Sequence, residues 1–252
     1  MRLTGNTVLV TGGGTGIGRA LAIALHRRGN RVVITGRRAA ALRAVAEAYP
    51  GIEWHPLDVA ETESVRQFVA TVGRRWPDVN VLINNAGVMA LESPYAPDPA
   101  ISTAVVATNL LGPIVLTSLL LPTLCNHPDA AIVNITSALA FVPLAIAPTY
   151  SATKAALHSY TESLRILLQE SGIHVIEIPP PRIRTEMDGP GSADSVDVDE
   201  FVAEIMSTLS AQPHVTEVVV EAARALRYAE REGDYDGVLA ALNTDIKAED
   251  VL

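Results

Sequence analysis

The run Tyr150-Ser151-Ala152-Thr153-Lys154 sets a phenol and an ammonium four residues apart. On a helix that spacing puts both on one face. Ser137 lies thirteen residues before Tyr150, at the end of an apolar run. Near the start, Thr11-Gly12-Gly13-Gly14-Thr15-Gly16-Ile17-Gly18 is a glycine turn between a strand pattern and a helix pattern. Together these groups suit the movement of hydride and a proton to or from a carbonyl. A carbonyl that accepts hydride becomes an alkoxide and needs a proton. A free phenol has a pKa of about 10, too high for easy exchange at neutral pH. The charge of Lys154 is expected to favour the phenolate and lower that value. The Ser137 hydroxyl is expected to donate to the substrate oxygen as charge develops on it. Taken alone, a Tyr and a Lys at this spacing read as a surface pair on a helix.

The glycine turn supplies what a phosphate needs, bare backbone N–H groups at the positive end of a helix. Gly12, Gly16 and Gly18 give G-x-x-x-G-x-G, with Thr15 and Ile17 between them. Side chains at the glycines would block the turn, the ligand or the packing of helix on strand. Its place between strand and helix favours a dinucleotide over an ordinary tight turn. The next strand ends Thr35-Gly36-Arg37-Arg38 without the acid that would hold a ribose 2′-hydroxyl. Arg37 and Arg38 would instead attract a 2′-phosphate, so NADP(H) is expected over NAD(H), with NAD(H) still possible. Asp58, followed by Val59, either meets the adenine or caps the next loop. Asn84-Asn85-Ala86-Gly87 ends a further strand with small residues, where open α/β sheets bind ligands.

The elements that must position these groups alternate along the chain. Strands are expected at 7–11, 31–35, 52–57, 79–84, 131–136, 174–178 and 216–220. Helices are expected at 17–28, 39–48, 62–76, 100–121, 149–169, 200–209 and 222–233. Short apolar strands alternating with helices predict an α/β fold, a parallel sheet covered on both faces. No repeat or linker divides residues 1–252, so one domain is expected, with a loop rich in Gly, Ser and Asp at 188–199.

Composition narrows the partners. The chain has 252 residues, 48% hydrophobic and 19% charged, and a net charge of −9. That balance disfavours a nucleic-acid partner, because phosphate binding is driven by clustered cations. The single cysteine, Cys125, is expected in the core and suits a reducing, cytoplasmic compartment. No secretory leader is expected. The stretch 104–125 is apolar enough to imitate a membrane span, but its Asn109, Pro113 and Pro122 favour a buried helix over a membrane one. No His/Cys/Asp cluster has metal spacing.

T-G-G-G-T-G-I-G at 11–18, N-N-A-G at 84–87, Asn109, Ser137 and Y-x-x-x-K at 150–154 occur in order, at intervals that resemble the short-chain dehydrogenase/reductase family. The likeness spans about residues 3–187, and within the family the chain resembles the DltE-like oxidoreductases. It implies a Rossmann-type, doubly wound sheet of about seven parallel strands and a nicotinamide cofactor. It implies a tetrad of Asn109, Ser137, Tyr150 and Lys154, in which the Lys also holds the nicotinamide ribose and Asn109 holds a water of a proton relay. A hydrogen bond from Asn109 to its own helix is the plain alternative. The likeness also implies pairing of long helices into homodimers or homotetramers. His158, on the second of these helices, is expected at the interface or surface and not as a ligand. One departure stands out: Pro181 takes the place of the usual glycine in Pro180-Pro181-Arg182-Ile183-Arg184-Thr185. Ile183 and Thr185 align with the contacts to the nicotinamide carboxamide.

The walls of a substrate pocket beside Ser137 and Tyr150 are expected from Met89, Leu91, Leu139, Phe141, Val142, Leu144 and Met187. All are apolar, which suits a hydrophobic ketone, aldehyde or secondary alcohol. The expected activity is an NADPH-dependent carbonyl reductase, or the reverse alcohol oxidation. A catalytically idle NADP(H)-binding sensor or scaffold is the alternative from another class.

Overall fold

Short runs of β-branched residues build the sheet, and their neighbours in space follow from helices that cross over between them. In a computed structural model, which describes residues 1–186, 195–244 and 246, six strands are β1 (Thr7–Thr11), β2 (Arg31–Gly36), β3 (Ile52–Pro56), β4 (Val81–Asn84), β5 (Ala131–Ile135) and β6 (His174–Ile178). All pair in parallel, in the order β3-β2-β1-β4-β5-β6. The chain winds outward from β1 to β3, then restarts at β4 on the other side. That reversal opens a crevice between the carboxyl ends of β1 and β4.

Alternate side chains of each strand feed two cores. Val8, Val10 and Ile34 face one side, against α1 (Gly16–His26), α2 (Ala39–Ala48) and α7 (Val198–Ala211). Leu9, Val33, Leu82 and Ile132 face the other, against α3 (Thr62–Arg75), α5 (Gly112–Leu124) and α6 (Pro148–Leu167). The expected helix at 100–121 runs from α4 (Pro99–Val106) through a π-helical turn (Ala107–Leu111) into α5. Its length and apolar composition would suffice to cross a membrane. Leu116, Leu120 and Leu124 are instead buried in the core.

Three expectations need correction. The seventh strand, 216–220, shrinks to one bridge, in which Glu177 N–H donates to Thr216 O and Val218 N–H donates to Glu177 O, each at 2.9 Å. Val218 and Val220 still bury their side chains, so the hydrophobic alternation was real and the ladder was not. The last expected helix is α8 (Arg224–Glu232), and a further one, α9 (Tyr235–Leu242), follows it. Gly237 in its first turn masks that helix in sequence. Cys125 sits at the C-terminal cap of α5 and is exposed, not buried. His158 is half-buried and bonded to a buried carboxylate.

Candidate functional site

The crevice is laced by Thr11 and Asn85. Thr11 Oγ1 accepts from the N–H groups of Asn85 and Ala86 at 2.9 and 3.0 Å. Asn85 Nδ2 donates back to Thr11 O at 2.9 Å and Gly12 O at 3.3 Å. Gly12 adopts φ +65°, a conformation that L side chains resist. A Cβ on Gly18 would sit 2.3 Å from Asn85 Nδ2 and 2.5 Å from Gly12 O. The glycines are therefore required by the contact between the turn, β4 and α1.

Thr15 is the N-cap of α1, with extended backbone, yet its side chain makes no capping bond. Its hydroxyl instead accepts from Arg38 Nη2 at 3.0 Å. The first-turn N–H groups, including those of Gly16 and Ile17, are left for an anion at the positive end of the helix. Arg38 also pairs with Glu186 at 3.1 Å, and Arg37 beside it is exposed. Thr185 faces Gly16 across the turn. Ile183 is buried and bridges Val196, with Arg184 N–H and Val196 N–H bonded across the bridge at 2.9 Å each. The N–H and C=O of Ile183 point the other way. Asp58 Oδ1 accepts from Ala60 N–H at 3.0 Å, so this side chain shapes its own loop. Val59 is buried in the core beneath it.

Tyr150 and Lys154 lie one turn apart on α6, and Lys154 Nζ is 5.6 Å from the centre of the Tyr150 ring. The same Nζ donates to Ile135 O at 2.9 Å. Lys154 is 4% exposed, and burial pushes its ammonium down to about 8. Burial pushes the Tyr150 phenol up, and a hydrogen bond with Ser137 opposes that only in part. The expected lowering by Lys154 is not seen, and desolvation sets the direction of the shift. Ser137 lies two residues past β5 and caps the short 3₁₀ turn Ala138–Ala140, its Oγ accepting from Leu139 N–H at 3.1 Å.

Asn109 lies within the π-helical turn, a feature often found at functional sites. Its Oδ1 accepts from Val88 N–H at 2.8 Å, and its Nδ2 donates to Val88 O at 2.8 Å and Thr153 Oγ1 at 3.3 Å. Both amide hydrogens are committed, and neither goes to its own helix. The side chain therefore fastens the segment after β4 to α6, with Gly87 between Asn109 and Lys154.

The apolar walls separate into two groups. Met89, Leu139 and Leu144 are partly exposed, and Leu91 is exposed. Val142 has no exposed surface and belongs to the core, so it cannot line a pocket. Phe141 packs between His158 and Arg227. Met187 lies outside the described residues, as does 188–194 of the expected loop. The end of that loop is ordered differently: Asp197 caps α7 through Asp199 N–H at 2.9 Å, so 198 and 199 already belong to the helix.

Glu92 escaped the sequence reading. Its Oε1 accepts from Thr149 N–H at 3.0 Å, and its Oε2 from Thr149 Oγ1 at 2.7 Å and Ser102 Oγ at 2.8 Å. It thus ties the segment after β4 to the first turn of the helix that carries Tyr150. Burial pushes its carboxyl up, but bonds from Thr149 and Ser102 outweigh that and leave it below its usual value. A depressed acid stabilises the fold above its unfolded pKa and loses that contribution as pH falls through the folded one. Glu92→Ala is expected to cost about 1–2 kcal/mol at neutral pH. Urea melts should show the gap to the parent protein narrowing as pH falls below the ordinary glutamate value of about 4.3.

An open parallel sheet with a glycine turn at its switch point, and Ser137, Tyr150 and Lys154 at its carboxyl edge, defines a Rossmann-type oxidoreductase. The model of the family described as short chain dehydrogenase matches residues 6–195. The chain belongs to that family and is an oxidoreductase. It is 36% identical over 253 residues to the uncharacterized oxidoreductase DltE of Bacillus subtilis (strain 168), covering 97% of this chain and 99% of the relative. A short chain dehydrogenase from Burkholderia cenocepacia J2315, solved in complex with NADP, superposes with TM-score 0.82 at 27% identity, over 96% of this chain and 99% of that one. One from Sphingobium yanoikuyae, solved with NADPH, gives 0.80 at 26% identity, over 96% and 97%.

Proposed function

We propose that this enzyme reduces a hydrophobic ketone or aldehyde with NADPH, Tyr150 acting as the acid. The observation that carries this reading is the meeting of Ser137 and Tyr150 over a buried Lys154, at the crevice edge where the glycine turn opens α1. The residues present fit a dinucleotide: the turn has no room for side chains at Gly12 and Gly18, and Thr15 leaves the helix end open. Arg37 and Arg38 directly follow β2 and would supply the positive charge that holds a 2′-phosphate. The relatives solved with NADP and NADPH support the same choice.

When bound, the dinucleotide supplies the hydride. Ser137 donates its O–H to the carbonyl oxygen and stabilises the charge that develops there. Tyr150 gives its proton to the same oxygen, completing the alcohol, and is reprotonated from solvent. Burial keeps that phenol protonated at neutral pH, which suits the reducing direction. The Lys154 ammonium lies beside the phenolate left behind. Asn109, through Val88 and Thr153, holds the elements around Lys154 in place. Met89, Leu139 and Leu144 offer apolar contact to the substrate. Exposed Leu111, Ile166 and Leu167 on the long helices favour assembly into a homodimer or homotetramer.

Reduction is tested by loss of NADPH absorbance with a panel of aryl and cyclic ketones; turnover is expected with at least one. Arg37→Asp is expected to lower kcat/KM for NADPH about tenfold or more and to improve the ratio for NADH. Initial rates with both cofactors check this, and an unchanged ratio removes Arg37 from the choice.

A further inference from the structure

Half-buried His158 and buried Glu177 form an ion pair that the chemistry above does not use. Glu177 stands in β6 among Val175, Ile176 and Ile178, and is 1% exposed. A carboxylate there needs partners. It has two: Thr136 Oγ1 donates to its Oε1 at 2.7 Å, and His158 Nδ1 lies 2.8 Å from its Oε2 and 3.0 Å from its Oε1. The bond to Glu177 raises the His158 pKa, against the opposing effects of burial and Arg227. Glu162, one turn along α6, is 3.8 Å from the other ring nitrogen.

The pair reaches further through Phe141. The His158 and Phe141 ring centres are 4.7 Å apart, inclined at 70°. The Arg227 guanidinium lies 4.2 Å from the centre of the Phe141 ring. Arg227 is itself fastened to Glu217, through Nε to Oε1 and through Nη2 to Oε2 at 3.0 Å. Glu217 is the bridge partner of Glu177, so the contacts close into a ring.

The placement of this ring is what matters. Thr136 directly precedes Ser137, and Phe141 follows it by four residues. His158 lies one turn beyond Lys154 and two beyond Tyr150 on the same face of α6. The segment that carries the hydroxyl donor and the helix that carries the proton donor are thus joined behind the site by one carboxylate and one imidazole.

We propose that His158 is a positioning residue, which sets Ser137 against Tyr150 through Glu177 and Phe141. This rests on the reductase reading above. It acts on the geometry of the reacting groups, so its loss should appear in kcat and leave the cofactor cradle untouched. A displacement of a fraction of an ångström between Ser137 and Tyr150 is enough to slow the step.

The experiment compares the parent, His158→Leu and His158→Asn in ketone turnover, NADPH binding by fluorescence, and thermal unfolding. Leu removes the donor to Glu177. Asn puts an amide N–H near the place of Nδ1. His158→Leu is expected to lower kcat about tenfold to a hundredfold with NADPH affinity changed less than about twofold. His158→Asn is expected to recover most of that loss. A folded His158→Leu with parental kcat overturns the proposal, and so does an Asn variant no better than Leu. If the Leu variant does not fold, Phe141→Leu is read instead: it leaves the ion pair intact and should lower kcat alike, and parental kcat there overturns the proposal. A parent protein that turns over no ketone sinks the reductase reading first, and this one with it.

Discussion

Tyr150→Phe is expected to lower ketone turnover by about 10²–10⁴-fold, the range for loss of a general acid. NADPH should still bind within about twofold of the parent affinity. The substitution removes one oxygen and little else. The ring stays above Lys154, whose ammonium keeps its bond to Ile135 O at 2.9 Å. Ser137 keeps its capping bond from Leu139 N–H. What goes is the only proton donor that meets Ser137 in the described site. Water could deliver a proton in its place, but without the fixed position that α6 gives the phenol. The comparison needs NADPH titration by fluorescence beside the turnover assay. Parental turnover in the variant would remove Tyr150 from the chemistry. Parallel loss of binding and turnover would mean that the ring builds the cradle and is not the acid.

Much of this arrangement was legible in sequence because it depends on local spacing. Tyr150 and Lys154 share a helix face by virtue of four residues, and no tertiary fact can change that. The glycine turn was legible for a similar reason: Gly12 and Gly18 mark places where backbone passes close, and the close passage to Asn85 is what the structure shows. The strand at 216–220 misled because alternation reports burial, and Val218 and Val220 are buried without a ladder. Val142 misled for the opposite reason, since an apolar residue near a site reads alike whether it faces the pocket or the core. The environment of Tyr150 was the subtler miss. Spacing predicts the neighbouring charge, while desolvation depends on everything folded over the residue, and here desolvation wins. Glu92 and the His158–Glu177 pair are long-range contacts, 57 and 19 residues apart in the chain. Only one signal pointed to the second: a lone carboxylate inside the apolar strand at 174–178, which a parallel sheet tolerates only when it is partnered.

Gly18→Ala should have the second large effect, on cofactor binding. The added methyl would lie 2.3 Å from Asn85 Nδ2, 2.5 Å from Gly12 O and 3.0 Å from Asn85 Cγ. Neither neighbour can yield cheaply. The Asn85 amide is held by Thr11 O and Gly12 O, and Gly12 is held in a left-handed conformation. Relief requires α1 to move off β1 or Asn85 to give up its bonds. Either change opens the turn and misaligns the first-turn N–H groups that would meet phosphate. Overpacking and the lost bonds together should cost about 2–4 kcal/mol of stability. NADPH affinity should fall about a hundredfold or more, because a phosphate cradle depends on several N–H groups aimed together. Gly73 provides the control, since a Cβ there, at an exposed position of α3, meets nothing within 4 Å. Gly73→Ala should therefore be neutral or stabilise by up to about 1 kcal/mol through helix propensity. Calorimetric titration with NADPH and thermal melts of both variants separate the two effects. Parental affinity in a folded Gly18→Ala protein would mean that the dinucleotide does not lie on this turn, and the assignment of the crevice would have to be abandoned.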